Sequence, residues 1–386
     1  MFLANTYQID TRVRQEAKSL VEADYSVYVL AWDRERGFRP IDKMDGAIVR
    51  SFSHVNLRRF SALRLVLGAL IFQILLFLEC VSLIGRLRQR PIIHAHDFNT
   101  LLPGCLIRIL RLSVGLVYDS HELSYAAYSE FFKPTIGCII SSIEKRCLRH
   151  VDTVITVSPP IANYLRRFNP ATEIIYNCPR MSDIPKLSKQ EIRRQLGLPL
   201  DTFIVSYVGV IRYDSKLDSL LTVASYMRNM SNVDFLVVGG GPLAPEFRRA
   251  ARETPGRLTL VSQVPPRKAL YYVAASDLTW AIYETRSLNQ RLTITWKFFE
   301  SLACRVPMIV RGGSYTAELV KKLRCGKVLE SDDPNEISQV IISLANERAH
   351  HMLAADGTSQ ELAWEVTSRK LIEIYDRLRL RTHFVS

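Results

Sequence analysis

The sequence predicts an α/β protein built of two successive doubly wound units. Three observations carry this. Apolar runs of strand length alternate with helix-length periodic stretches along almost all of the 386 residues. Those runs are apolar on both faces, as strands of a parallel sheet covered by helices on two sides must be. The alternation breaks once, at Asn177–Lys189 (NCPRMSDIPKLSK), a stretch rich in Pro, Ser and charge that reads as an interdomain linker, and then restarts.

In the first half, after a strand-like start at Met1–Asn5, the strands are Tyr25–Ala31, Pro91–His94, Gly115–Tyr118, Thr153–Val157 and Glu173–Tyr176. Between them lie helical patterns at Asp10–Glu22, Leu63–Arg86, Thr100–Leu112, Ile136–His150 and Ser158–Phe168. In the second half the strands are Phe203–Val208, Phe235–Val238, Leu258–Leu260, Leu278–Ile282, Met308–Val310 and Lys327–Leu329, again with helices between. Ligands of such sheets bind beyond the carboxyl ends of the strands. The informative residues are therefore His94–Asp97, Asp119–Glu122, Asn177, Gly209–Lys216, Gly239–Pro242 and Tyr283–Glu300, and two facing sheets would bring them to one cleft.

Composition narrows the function classes. Hydrophobic residues make up 48% and charged residues 23%, which excludes disorder as the main state, and a mean hydropathy of +0.03 is too low for a polytopic membrane protein. A net charge of +13 asks for an anionic partner. Residues 1–182 carry 23 basic and 16 acidic side chains, and residues 50–90 alone hold seven arginines against one acid, Glu79. The same stretch holds the most apolar segment of the chain, Leu65–Ile84, long enough to span a bilayer at about 20 residues. Arg58, Arg59 and Arg64 precede it, and Arg86, Arg88 and Arg90 follow. It reads as a spanning helix, a core helix, or a helix lying in the membrane interface with arginines on lipid phosphates. Because the basic stretch flanks an apolar helix and does not interleave aromatics, a nucleic-acid partner is not expected. The start, MFLANTYQIDTRVR, has too short an apolar run for a targeting peptide. Seven cysteines without a C-x-x-C pair argue against a disulfide framework and point to a reducing cytosol.

The motifs after the strands each carry two readings. His94-Ala-His96-Asp97 places two histidines on one strand face, but no third and fourth ligand follows at matching spacing, so no metal is expected. Either the histidines pack at a strand end or Asp97 contacts a polar substrate. Asp119-Ser120-His121-Glu122 can bond sugar hydroxyls or tune a proton transfer, or simply cap the next helix. Gly239-Gly240-Gly241-Pro242 is neither a dinucleotide fingerprint nor a Walker loop. It is a turn that admits a ribose or base, or a plain tight turn. Gly209-Val210-Ile211-Arg212 with Lys216 opens a helix near Asp214, where backbone N–H groups and two cations suit a diphosphate; otherwise the two are solvated bases. Lys297 and Glu300 start a further helix. Glu300 there either complements the dipole or accepts ribose hydroxyls, while Lys297 meets a phosphate.

The order DTRVRQEA (10–17), HAHD (94–97), YDSHE (118–122), EKRCLRHVDTVITVS (144–158), YN (176–177), YVG (207–209), VVGGGPL (237–243), WKFFESLACRVP (296–307) and AWE…IY (363–375) resembles glycosyltransferase family 4. The resemblance implies a GT-B fold, α/β with two facing Rossmann-like domains and a deep interdomain cleft. It implies an acceptor-side domain over 1–180 with a membrane-associating helix near 63–86, a nucleotide-sugar domain over 190–360, and a last helix, 361–386, crossing back. The implied activity is a retaining glycosyltransferase of hexosyltransferase type, without cofactor or obligatory metal, moving a sugar from a nucleotide-sugar to a lipid-linked or cell-surface glycan precursor. A cytoplasmic enzyme on the inner face of the cell membrane follows. An epimerase, a sugar-phosphate synthase or a non-catalytic scaffold of the same fold are the alternatives.

Carried over residue by residue, the catalytic set is His121, Asp97 and Glu300. The donor set is Arg212, Lys216, Gly209, Gly240, Gly241, Lys297 and Glu300, and the acceptor side is Asp10, Arg12, His96 and Glu122. The sequence departs from the family pattern at Leu292, where the first Glu of E-x7-E belongs, at Thr295 in the place of a proline, and at Arg305. The spacing of Arg212 and Lys216 is shifted, and Asn5-Thr6-Tyr7-Gln8 replaces a glycine-rich loop. Leu65–Ile84 falls between strands of one sheet, which leaves the interfacial and core readings.

Overall fold

The structure, a computed structural model, describes residues 1–33, 41–52, 62–229, 232–254, 257–347 and 362–380, without the side chains of 62–66 and 214. Arg58, Arg59 and the side chain of Arg64 lie outside the described residues. The chain divides into two compact units, one of residues 1–176 and 367–386, the other of 177–366.

The first unit is an eight-stranded sheet in the order β3-β4-β2-β1-β5-β6-β7-β8. The strands are β1 (Phe2–Leu3), β2 (Tyr28–Trp32), β3 (Ile41–Met44), β4 (Ala47–Phe52), β5 (Ile92–His96), β6 (Gly115–Ser120), β7 (Thr153–Thr156) and β8 (Thr172–Ile174). All neighbours are parallel except β3 and β4. That hairpin is absent from the sequence reading, although its signal is present: Asp45 and Gly46 both take positive φ, 54° and 81°, as a two-residue hairpin turn requires. β5 and β6 run two residues further than expected, because His96 still pairs with Asp119 across the ladder. Both side chains therefore sit inside the sheet's edge rather than in the loops beyond it. β8 stops earlier than expected, and the N–H of Tyr176 donates to Thr367 Oγ1 at 3.2 Å instead.

The apolar segment forms the helix Ala62–Leu87, whose stretch Leu67–Leu87 has a mean hydropathy of 2.3. Gly68, Phe72, Leu76 and Cys80 recur every four residues and are buried, with Phe72 stacked on Trp32 of β2 at 5.0 Å. Glu79 pairs with Arg50 of β4. The helix thus packs one face against the sheet, at β2 and β4. A second apolar stripe, Leu67, Leu70, Ile74 and Leu78, is exposed, so the core reading accounts for one face only.

The second unit is a six-stranded, all-parallel sheet ordered β11-β10-β9-β12-β13-β14. Its strands are β9 (Phe203–Val208), β10 (Val233–Val238), β11 (Leu258–Val261), β12 (Leu278–Ala281), β13 (Met308–Arg311) and β14 (Gly326–Leu329). They lie within three residues of the apolar runs, since strands buried on both faces leave little latitude for where a run begins. Trp280, Phe235, Phe247 and Val237 anchor the core on one face of the sheet.

Candidate active site

In the second unit two glycine turns lie side by side beyond β9 and β10. The N–H of Gly209 donates to Val238 O at 2.9 Å and that of Ile211 to Gly240 O at 2.8 Å. This close approach is what the glycines are for. A Cβ at Gly239 would stand 1.9 Å from Gly209 O, and one at Gly241 2.5 Å from Ile211 O. At Gly209, with φ 145°, it would stand 2.5 Å from Lys297 Nζ. Gly240 meets only Gln263, at 3.5 Å, and is the glycine of the three-residue run that leaves its surface open.

Lys297 comes from the helix Trp296–Ala303, its side chain buried and its ammonium 4.2 Å from the centre of the Tyr207 ring. Burial opposes its charge, but Tyr283, Tyr207 and Glu300 outweigh that and hold it above the ordinary lysine range. Glu300 lies one turn on, past the first helical turn where the sequence reading placed it, so capping the dipole is not its task. Trp296 Nε1 donates to Glu300 Oε1 at 2.7 Å, fixing one oxygen. Burial raises the Glu300 carboxyl above its usual range, with Lys297 and Trp296 pulling it back down.

The expected diphosphate pair is arranged differently. The helix starts at Leu217, not near Asp214, because Lys216 takes a left-handed conformation at its N-cap, φ 45°. The Lys216 side chain makes no capping bond to that terminus. Lys216 Nζ is 3.1 Å from Glu284 and 3.7 Å from Asp332, and an arriving phosphate has to displace these carboxylates. Arg212 is exposed. Lys297 is a buried cation set against the glycine turn.

In the first unit, Arg12 of the helix Thr11–Glu22 grips Asp119 with two parallel bonds of 2.8 Å, and its third nitrogen donates to Ile175 O at 3.0 Å. Its Nε also pairs with Glu16 at 3.1 Å. Arg12 is 5% exposed and His96 0%, so neither can face an acceptor, and those two assignments are corrected: a side chain sealed behind the sheet edge organises the site without touching a substrate. Asp10 caps the helix, its Oδ1 accepting from the N–H of Val13 at 3.1 Å, and the residue stays partly exposed. Glu122 is exposed.

His121 stands at the rim, 20% exposed, with Nε2 2.9 Å from Asp119 and Nδ1 3.3 Å from Asp97. Its backbone N–H donates to Asp97 Oδ1 at 3.1 Å. Asp97 holds φ 60°, ψ 166°, a region nearly restricted to glycine and costing about 1–3 kcal/mol, so the site spends backbone strain to aim this carboxylate. Burial lowers the His121 pKa, but Asp97 and Asp119 reverse that and raise it to about 10. Asp119 itself is disfavoured by burial, yet Arg12 and His121 hold it well below the usual carboxylate range. The two carboxylates thus favour the charged imidazolium of His121.

A pH consequence follows. A histidine titrates near 6.5 in an unfolded chain. With its folded pKa raised to about 10, His121 contributes stability that is fully present below pH 6.5 and lost as pH rises through 10. Histidine-labelled NMR should show its ring charged at pH 8, and Asp97→Asn should bring its midpoint down. A midpoint near 6.5 in the unaltered protein refutes the carboxylate clamp.

The sequence reading left out Asp119 as a site residue, though it adjoins His121, and Glu16. The available signal for Glu16 was a charge one turn after Arg12 on the apolar side of an amphipathic helix. Lys297 was named, but its place under Gly209 needs the fold.

Comparison with known proteins agrees with this architecture. Residues 9–178 match the family model "Glycosyltransferase Family 4" and residues 202–347 "Glycosyl transferases group 1". The D-inositol 3-phosphate glycosyltransferase of Thermomonospora curvata is 30% identical over 203 residues, 48% of this chain and 45% of that protein. The chain thus spans about half the length of this curated relative. Among solved structures, sucrose-phosphate synthase from Thermosynechococcus elongatus has a TM-score of 0.78 at 17% identity, covering 98% of both chains. Anabaena HepE, solved with UDP and glucose, has a TM-score of 0.70 at 15% identity, covering 97% of this chain and 98% of its own.

Proposed function

This chain belongs to the family 4 glycosyltransferases of GT-B fold, and from that premise we propose that it is a retaining enzyme transferring a sugar from a nucleotide-sugar to a hydroxyl of a lipid-linked glycan precursor. One observation carries the donor assignment. At the carboxyl end of β9 the second unit sets a buried ammonium, Lys297, against a glycine turn, and beside it a carboxylate whose second oxygen is left for a ligand by the Trp296 bond. Diphosphate and ribose have complementary chemistry to these two groups. HepE was solved in complex with UDP and glucose, which supports a nucleotide-sugar as the donor class.

The reaction then needs no protein nucleophile. The bond from the sugar's anomeric carbon to the phosphate oxygen breaks, and its electron pair leaves with the nucleoside diphosphate. The acceptor oxygen forms its bond on the same face, and its proton passes to the departing phosphate oxygen. Lys297 and the N–H groups at Leu217 meet the growing phosphate charge, with Lys216 joining once Glu284 yields it. No metal ion is assigned to this step. Asp97 and Asp119 keep His121 charged, each engaging one of its ring N–H groups. Trapping a stable glycosyl–enzyme adduct refutes this course, and a panel of nucleotide-sugars tested for melting-temperature shifts tests the donor.

The lipid-linked acceptor is supported by the surface of the first unit. The helix 62–87 packs along Phe98–Ile109, which packs along Pro134–Cys147, and each carries exposed apolar side chains: Leu70, Ile74 and Leu78; Leu106 and Ile109; Ile139. Exposed Arg86, Arg88 and Arg90 close the first helix. Apolar side chains beside arginines suit an anionic membrane surface, here the inner face of the cell membrane. Leu70→Asp with Ile74→Asp should release the protein from anionic vesicles in a sedimentation assay, as should Arg86, Arg88 and Arg90 to Glu. Unchanged sedimentation of both variants refutes the membrane face.

A further inference from the structure

We propose that the first unit holds one zinc-class divalent cation between Glu16, His94 and His96. All three side chains are 0% exposed. Glu16 Oε2 lies 3.8 Å from His94 Nε2 and 3.9 Å from His96 Nε2. These atoms make no hydrogen bond in the structure, and the separations are too long for one. Buried polar atoms are rarely left so, and three of them turned toward one point ask for an occupant. An ion with bonds of about 2.0–2.2 Å allows its ligands to stand at most roughly 4.4 Å apart, and these distances fit within that limit.

The rest of each side chain is already in use. His94 Nδ1 is 2.9 Å from Tyr375 Oη, and His96 Nδ1 3.2 Å from Asp119 Oδ2. Such partners on the far nitrogen fix the tautomer and aim the near one at a metal. The two rings stack at 4.2 Å and 25°, so both Nε2 atoms leave β5 on one side. Arg12 holds the other oxygen of Glu16 at 3.1 Å. Asp119 also lies within the 4.8 Å group, but its oxygens serve Arg12, His96 and His121, which makes it an orienting residue. Two imidazoles and one carboxylate suit zinc and its late first-row neighbours, not magnesium or calcium, which take oxygen cages.

His94 and His96 alone lacked further ligands in the sequence, and the fold supplies Glu16 from another element. The ion would tie the helix Thr11–Glu22 to β5 behind Asp97 and His121, and no step of sugar transfer passes through it. This proposal does not depend on the donor assignment.

The test begins with the purified full chain, stripped with a chelator and titrated with zinc against a chromophoric competitor. The expected result is uptake of about one equivalent, with a cobalt-loaded sample showing nitrogen and oxygen ligation and no thiolate charge-transfer band. Glu16→Gln and His96→Gln should each weaken uptake at least tenfold, while His121→Ala retains it, with circular dichroism confirming folding. Absence of uptake by the unaltered chain, which leaves a buried water as the occupant, overturns the proposal. So do thiolate bands in the cobalt spectrum, or unchanged uptake in both ligand variants.

Discussion

Glu300→Ala should weaken the binding of a nucleoside diphosphate by roughly 100-fold while leaving the melting temperature near that of the unaltered protein. The argument starts from the helix Trp296–Ala303, where Trp296 and Glu300 are one turn apart and bonded at 2.7 Å. That bond fixes the carboxylate, so little side-chain freedom is lost when hydroxyls arrive. Hydrogen bonds to a charged group are worth about 1.5–3 kcal/mol each, and the loss of one or two of them gives that factor. Glu300→Gln keeps one acceptor oxygen and should fall between. Calorimetry with UDP and with its free phosphate moiety separates the two ends of the ligand: the ribose end should lose affinity, the phosphate end should not. Unchanged affinity for the nucleoside diphosphate refutes the ribose role.

Arg12→Met should cost about 3–5 kcal/mol of stability, the largest effect expected of any single substitution in the first unit. Arg12 is 5% exposed and makes two bonds to Asp119, one to Ile175 O and an ion pair to Glu16. Without it, the buried carboxylate of Asp119 loses the guanidinium that neutralises it, and an uncompensated buried charge costs far more than the pair was worth. The double variant Arg12→Met, Asp119→Leu should therefore be more stable than the sum of the single losses predicts. Chemical denaturation of the four proteins measures this coupling. Strict additivity of the two substitutions refutes the description of Arg12 as the neutraliser of Asp119. Activity should fall in Arg12→Met even where the chain still folds, since Asp119 holds His121.

Much of the fold is legible along the chain, and the site less so. β9, FIVSYV, is found residue for residue, because a central strand buried on both faces is apolar at nearly every position, Ser206 being the exception here. β3 and β4 escape because an edge hairpin alternates, half exposed, and its turn is only two residues long. At the site, the motifs identify Lys297, Glu300, Asp97 and His121 by type and position after strands. They set Arg12 and His96 on the acceptor side, and the fold buries both behind the sheet edge as supports. Sequence carries the residue type of a polar group but not which way the sheet edge turns it, and a support and a contact can be drawn from the same residue types.

By itself, then, the sequence determined the two α/β units, their parallel strands and the family. Those follow from periodicity and local chemistry, which act between residues near one another in the chain. Only the tertiary structure decided which charges meet: Lys216 with Glu284, Lys297 beneath Gly209, His121 between Asp97 and Asp119, and Glu16 facing His94 and His96. The +13 of the composition does not anticipate any of these pairings. Electrostatic energy depends on separation and burial in space, and both are fixed only when distant segments pack.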